Sequence, residues 1–236
     1  MGSEFRKLAD AEPAIVSAAP QERAPHTTAP NDARRMVSGY LAFLNRIADF
    51  RLPATNLGLD LGAGAGHIAE AFNEAGCRMI AAEHTDEGVA LIRSLSPGIE
   101  ALKKNVADFR EPGKYDLIFS REIYPFTRIN AYDEQRRAVS NIIDSLKSGG
   151  AFLLSASDVC APDCLDYDRL IKELRADSRL RLVTGKHYEF IFKRWGGLIS
   201  GPQAYRLFEL AVSPLILYKR WRHGFARIYL IAFVKI

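Results

Sequence analysis

Residues 57–67 are Leu-Gly-Leu-Asp-Leu-Gly-Ala-Gly-Ala-Gly-His, the most informative stretch of this chain. An apolar run of strand length leads directly into three glycines, Gly62, Gly64 and Gly66, and a helical pattern follows. Glycine is needed where the backbone turns tightly or lets a ligand approach without a Cβ in the way. The stretch therefore predicts a buried strand, a ligand-binding loop and a helix.

Apolar segments of strand and helix type alternate along most of the chain. Strand patterns lie at residues 57–61, 78–83, 100–104, 115–120 and 151–155, and amphipathic helix patterns separate them. Parallel strands need crossover connections, so this alternation predicts a parallel sheet with helices on both faces. A further amphipathic helix precedes the glycine stretch, and we expect it to begin near Asp32, a plausible N-cap.

The end of the chain departs from this alternation. Residues 181–189 and 227–234 have strand patterns, and the segment between them, about residues 190–225, is rich in aromatic and cationic side chains. This segment is too long for a hairpin turn. We interpret it either as an insertion that covers a binding site or as an amphipathic helix and loop that cover the sheet edge.

Composition predicts one domain and no membrane anchor. A chain of 236 residues, 48% hydrophobic and 25% charged, has the size of a single α/β domain, which we place at residues 32–236. Residues 1–31 resemble a cloning tag and an Ala- and Pro-rich linker, which we expect to be disordered. No apolar run reaches the roughly 20 residues that span a bilayer, so we expect a cytoplasmic protein. Three cysteines without zinc-site spacing predict no metal.

Charge is unevenly distributed along the chain. The net charge is +4, yet residues 181–236 alone carry ten Lys and Arg against two Glu, a local +8. A cationic stretch of this kind is either a solvated face or a surface for an acidic partner such as a phosphate, a carboxylate, a nucleic acid or a lipid headgroup.

The spacing of the glycines separates two kinds of nucleotide-binding loop. The dinucleotide fingerprint G-x-G-x-x-G would need glycine at position 67, where His67 stands. The observed G-x-G-x-G, with Asp60 two residues ahead, resembles motif I of the class I methyltransferases, which bind S-adenosylmethionine (SAM). We interpret His67 as a residue of the first helical turn.

Three further matches follow in the order of that family. Glu83 ends the second strand, where the family places the acid that binds the ribose hydroxyls, although dinucleotide enzymes also have an acid there. The pair 108–109 follows the third strand, at the family's adenine site, and residues 146–150 resemble its turn into the fifth strand.

The resemblance implies a Rossmann-like, seven-stranded, doubly wound α/β sheet with an antiparallel C-terminal strand and an insertion before it. It also implies SAM as the cofactor and a methyltransferase activity. The residues expected to bind the cofactor are Asp60, Gly62, Ala63, Gly64, Gly66, Glu83, His84, Asp108, Phe109 and Ser120.

The acceptor is expected beyond the fourth strand, because ligands of such sheets lie at the carboxyl ends of the strands. Residues 120–126 are Ser-Arg-Glu-Ile-Tyr-Pro-Phe and not the Asn/Asp-Pro-Pro-Tyr/Phe motif of amino methylation on nucleobases or glutamine. A general base assists methyl transfer to oxygen. Our candidates for a base or an orienting group are Glu122, Tyr124 and His187.

Several functions therefore remain open from sequence alone. We favour a methyltransferase acting on the oxygen or nitrogen of a small, possibly anionic, molecule. The alternatives are an RNA or phospholipid methyltransferase, a protein that binds SAM without catalysis, and a nicotinamide oxidoreductase.

Overall fold

The computed structural model describes residues 28–123, 125–126, 131–157, 167–185, 199–223 and 228–236. The helices within these ranges are α1 (Pro30–Arg46), α2 (His67–Glu74), α3 (Asp86–Leu95), α4 (Tyr132–Ser145), α5 (Tyr167–Ala176) and α6 (Pro202–His223). The strands are β1 (Gly58–Leu61), β2 (Met79–Glu83), β3 (Glu100–Lys103), β4 (Tyr115–Arg121), β5 (Leu146–Ser157), β6 (Leu180–Gly185) and β7 (Ile228–Lys235).

The described strands form one seven-stranded sheet in the order β3-β2-β1-β4-β5-β7-β6. Strands β1 to β5 run parallel, and β7 lies antiparallel between β5 and β6. The order reverses between β1 and β4, which is where ligands bind in open α/β sheets. The predicted doubly wound sheet with an antiparallel C-terminal strand is confirmed.

Two apolar layers cover the two faces of this sheet. One joins α1, α2 and α6 to the sheet, and its largest fully buried side chains include Phe43, Phe72 and Tyr205. The other joins α4 and α5 to the opposite face. Neighbouring β4 residues alternate between the layers, with Ile118 in the second and Phe119 in the first, as the pleat of a strand requires.

Helix α1 begins earlier than the sequence pattern predicted. Its first residue is Pro30 and its N-cap is Ala29, so Asp32 is not the cap but a residue of the first turn. Proline suits the first helical position because its missing N–H would have no partner there, and an acid in the first turn favours the helix dipole. The predicted disordered segment lies mostly at residues 1–27, outside the described ranges.

The turn into β5 also differs from the prediction. We expected residues 146–150 to form a turn into a strand at 151–155, but α4 ends at Ser145 and β5 already begins at Leu146, which pairs with Tyr115. The register then shifts before the regular pairing of β4 with residues 151–155. A β-bulge placed here needs glycine, because Gly149 has φ 78° and a Cβ on Gly150 would lie 2.9 Å from the carbonyl oxygen of Tyr115.

The C-terminal segment contains a long helix. Helix α6 has 22 residues, and its start is fixed by a hydrogen bond from the Gly201 N–H to the Arg46 carbonyl at the end of α1. Ile199, just before it, is buried in the first apolar layer. Among the described residues, none of the helices combines the length and the apolar character that crossing a membrane requires.

Candidate functional site

The glycine loop lies between β1 and α2, at the carboxyl edge of the sheet. Gly62, Gly64 and Gly66 all have left-handed backbone conformations, with φ of 75°, 59° and 85°. A side chain at any of these positions would be strained whatever space surrounds it. The N–H groups of Gly62 and Ala63 both donate to the Ala82 carbonyl, which fastens the loop to the end of β2.

Two of these glycines also lie close to neighbouring elements. A Cβ on Gly66 would lie 3.0 Å from Ile92 and 3.1 Å from Ser96, both at the end of α3. A Cβ on Gly62 would lie 3.0 Å from the side chain of Ile123, which follows β4. The loop is therefore confined between α3 and the segment after β4.

Glu83 joins the end of β2 to the glycine loop. Its Oε1 accepts a hydrogen bond of 2.7 Å from the Gly64 N–H, while Oε2 lies 3.2 Å from the His84 N–H and 3.3 Å from His84 Nδ1. The Glu83 side chain is only 13% exposed, whereas His84 is largely exposed. This carboxylate is thus fixed beside the loop before any ligand arrives.

Asp60 lies beneath the loop and is almost fully buried. A backbone N–H from Ala69, in the first turn of α2, reaches its carboxylate, but Oδ2 makes no hydrogen bond within the part of the chain that the structure describes. Burial, together with the nearby charge of Glu83, raises the pKa of Asp60 to about 8, while the Ala69 N–H and Arg121 oppose the shift. A buried carboxylate oxygen of this kind favours a cationic or hydrogen-bond-donating ligand.

The end of β4 supplies the polar groups on the other side of the loop. Glu122 has φ 50°, one of two left-handed conformations among the described non-glycine residues, and its N–H donates to the Ser155 carbonyl. Such backbone strain in a residue without glycine's freedom is common at functional sites. The Glu122 side chain is partly buried.

The remaining predicted cofactor residues lie around this edge in different environments. Asp108 is exposed in the turn after β3, and the neighbouring Phe109 is buried against Tyr115 in the second apolar layer. Ser120 is buried at the end of β4, where its hydroxyl donates to the Leu61 carbonyl and so links β4 to β1.

His67 is the first residue of α2, in agreement with the prediction that it belongs to the first helical turn. Its Nδ1 lies 3.3 Å from Ser96 Oγ and 3.6 Å from Glu70 Oε2, between α2 and α3. Two of the three candidates for a base, Tyr124 and His187, lie outside the described residues. Glu122 is therefore the candidate whose position the structure gives.

The sequence did not predict that the start of α1 reaches this site. Arg121 Nη1 donates a 2.7 Å hydrogen bond to Thr28 Oγ1, two residues before α1 begins. Further along the same helix, the buried Tyr40 hydroxyl donates to Ser155 Oγ at the end of β5. No local motif indicates either contact, since 93 and 115 residues separate the partners.

Comparison with known proteins identifies the domain that carries this loop. Residues 59–154 match the family model of a methyltransferase domain. No curated protein sequence matches the chain.

Solved structures of methyltransferases share the fold. A TehB-like SAM-dependent methyltransferase from Corynebacterium glutamicum is 14% identical, with a TM-score of 0.56 over 98% of this chain and 94% of that one. The N-methyltransferase NodS from Bradyrhizobium japonicum is 13% identical, with a TM-score of 0.54 over 87% and 95% of the two chains.

A third structure contains the cofactor. Phosphoethanolamine N-methyltransferase 2 from Haemonchus contortus, solved with SAM, is 14% identical and has a TM-score of 0.56 over 86% of this chain and 52% of that one. At such identities these likenesses establish the architecture, and the family match over residues 59–154 adds the methyltransferase domain.

Proposed function

We propose that this chain, which is a class I SAM-dependent methyltransferase, methylates an oxygen or nitrogen of a small, anionic molecule. The observation that carries the proposal is the glycine loop, whose left-handed backbone is tied to Glu83 by a 2.7 Å hydrogen bond. The assignment of individual residues below is part of the proposal.

The residues around the loop suit SAM. The ligand carries a ribose with two hydroxyls, for which Glu83 offers a fixed acceptor, and an ammonium group, for which the buried Asp60 Oδ2 offers another. Gly62, Ala63, Gly64 and Gly66 would follow the outline of the ligand with backbone atoms. The exposed Asp108, after β3, would bind a polar ring substituent of the ligand.

When bound, SAM supplies an electrophilic methyl group on a positively charged sulfur. The protein's task is then mainly to hold the acceptor atom in line with that methyl group, because orientation contributes much of the rate in such displacements. We assign Glu122 to this task. Its carboxylate would accept the proton that an attacking hydroxyl or neutral amine loses as it bonds to the methyl group.

An anionic acceptor is favoured by a cation at the end of β4 and by the basic composition of the C-terminal part of the sequence. Arg121 lies at the end of β4, held by Thr28, and residues 181–236 carry a local charge of +8. Guanidinium groups bind carboxylate and phosphate with paired hydrogen bonds. The order of events we expect is cofactor binding in the loop, then acceptor binding between Arg121 and Glu122.

The proposal is tested by supplying SAM labelled in the methyl group together with fractionated cell extract. We expect label to appear in a low-molecular-weight, anionic fraction, and mass spectrometry of that fraction would identify the acceptor. Label confined to RNA or lipid would overturn the acceptor class. Heat-treated protein and a Gly64→Val variant serve as negative controls.

An RNA or phospholipid acceptor is the second candidate, favoured by the basic C-terminal quarter. Binding to RNA phosphates falls steeply as salt rises, because counterions are released on association. Turnover of a small acceptor should change much less over the same salt range. A steep loss of activity with salt, together with label in RNA, would support this alternative.

A further inference from the structure

Helix α6 has one face packed against the domain. Tyr205 is 1% exposed, and its ring meets Phe43 of α1 edge-on with centroids 5.6 Å apart. Phe208 and Val212 pack partly buried against the same layer. These three residues are spaced by three and four positions, so they lie on one face of the helix. That face is the one that α6 buries against the domain.

A second apolar stripe of α6 faces outward. Leu207, Leu210, Leu215 and Tyr218 are 69%, 63%, 49% and 57% exposed. Pro214 and Ala211 between them are exposed as well, so the stripe contains no charged residue over about 16 Å of helix. These four side chains are most of the large hydrophobic residues that the described part of the chain exposes.

Cations flank this stripe. Arg206 and Arg222 are exposed near its two ends, and the last turns of the helix also contain Lys219 and Arg220. The one acid of the helix, Glu209, is partly buried. The accessible side of α6 therefore combines large apolar groups with positive charge and has no exposed carboxylate among the described residues.

The length of α6 allows its basic end to reach the edge of the sheet where the glycine loop lies. The helix starts beside Arg46, at the amino edge, and the following strand starts at Ile228, which pairs with Ser157 at the carboxyl edge. The link from His223 to Ile228 can span at most about 17 Å. A helix of this length extends about 33 Å, enough to run from one edge to the other.

We propose that the exposed face of α6 binds the surface of an anionic lipid bilayer. The apolar stripe would enter the boundary between headgroups and acyl chains, and the flanking Arg206 and Arg222 would contact lipid phosphates, as in interfacial amphipathic helices. A second copy of the chain fits less well, because two such faces bring like charges together without acids to pair them. The surface consists of side chains of α6 alone, and the proposal does not depend on which acceptor is methylated.

Co-sedimentation of the full chain with vesicles tests the proposal. We expect binding to vesicles of equal parts phosphatidylglycerol and phosphatidylcholine and little binding to phosphatidylcholine alone. The double variant Leu207→Asn/Leu210→Asn should weaken binding about tenfold or more, and Arg222→Gln about fivefold. Leu95→Asn, which changes a comparably exposed leucine on α3, should leave binding unchanged.

Two results would overturn the proposal. One is the absence of vesicle binding at low salt. The other is equal binding by the double variant, by Leu95→Asn and by the unaltered chain. A dimer that the double variant dissociates, without vesicle binding, would assign the stripe to a second copy instead. Calorimetry with S-adenosylhomocysteine on each variant reports separately on the fold and the cofactor site.

Discussion

The proposed cofactor side and the proposed acceptor side of the site are held together in different ways. On the cofactor side, backbone conformation and strand ends within residues 58–83 fix almost everything, including the Gly64 to Glu83 hydrogen bond. On the acceptor side, the contacts join distant parts of the chain, as between Thr28 and Arg121. A short sequence motif is therefore enough to recognise the cofactor side. The contacts on the acceptor side form only when the whole domain has folded.

The largest effect is expected from a substitution on the cofactor side, where backbone conformation forms the site. Gly64→Val should abolish cofactor binding, because a branched side chain is strained at φ 59° and would occupy space that the ligand needs. Calorimetry with S-adenosylhomocysteine measures the loss. Gly76→Val is the matched control, since Gly76 has φ 87° with nothing within 4 Å of a Cβ. If both variants bind equally well, the loop does not contact the cofactor.

The second prediction concerns the buried acid beneath the loop. Burial and Glu83 raise the pKa of Asp60 from 3.8 to about 8, so the folded chain keeps a proton that the unfolded chain has lost. The stability that this protonated acid contributes is present at low pH and is lost as pH rises through about 8. Relative to Asp60→Asn, the chain should lose roughly 4 kcal/mol between pH 5 and pH 9, at about 1.36 kcal/mol for each pH unit up to the folded pKa. Denaturant unfolding at several pH values measures this difference, and parallel pH profiles would contradict it.

On the acceptor side, Glu122→Gln should lower kcat about 100-fold, as expected when a general base is removed. The dissociation constant of the cofactor should change little, because the glycine loop and Glu83, to which we assign the cofactor, are retained in this variant. The exposed Glu87→Gln on α3 controls for loss of charge. An unchanged kcat would remove Glu122 from the mechanism and leave Tyr124 and His187 as candidates.

The smallest effect sharpens the role of Glu83. Glu83→Ala should weaken cofactor binding by about 10- to 100-fold, since a charge-assisted hydrogen bond contributes about 1.5 to 3 kcal/mol. Glu83→Gln keeps an acceptor for the Gly64 N–H, so its affinity for the cofactor should lie between those of the unaltered chain and of Glu83→Ala. A loss below twofold for the alanine variant would place the ribose elsewhere.

The sequence predicted the sheet, the glycine loop and Glu83 at the end of β2, because each depends on local periodicity or backbone conformation. Strand pairing, by contrast, decided the start of β5 at Leu146, which pairs with Tyr115. The contact of Thr28 with Arg121 could not be predicted, because nothing in either local sequence selects that partner.

Segment 190–225 illustrates the same limit. Aromatic content alone suggested either a cover or an edge helix, and α6 proves to bury Tyr205 in the domain core. Replacing the whole segment with a short turn would therefore remove core packing as well as any recognition surface. Substitutions confined to its exposed residues are the better test of a role in recognition.

The path of α1 has a practical consequence for labelling and immobilisation. Thr28 touches Arg121 at the carboxyl edge, so a label attached at Thr28 would lie beside the proposed methyl-transfer site. Ile236 follows β7 at the opposite edge, where it is 73% exposed and its N–H donates to the Arg179 carbonyl. A fluorophore or surface tether placed there would lie at the edge of the sheet opposite the proposed site.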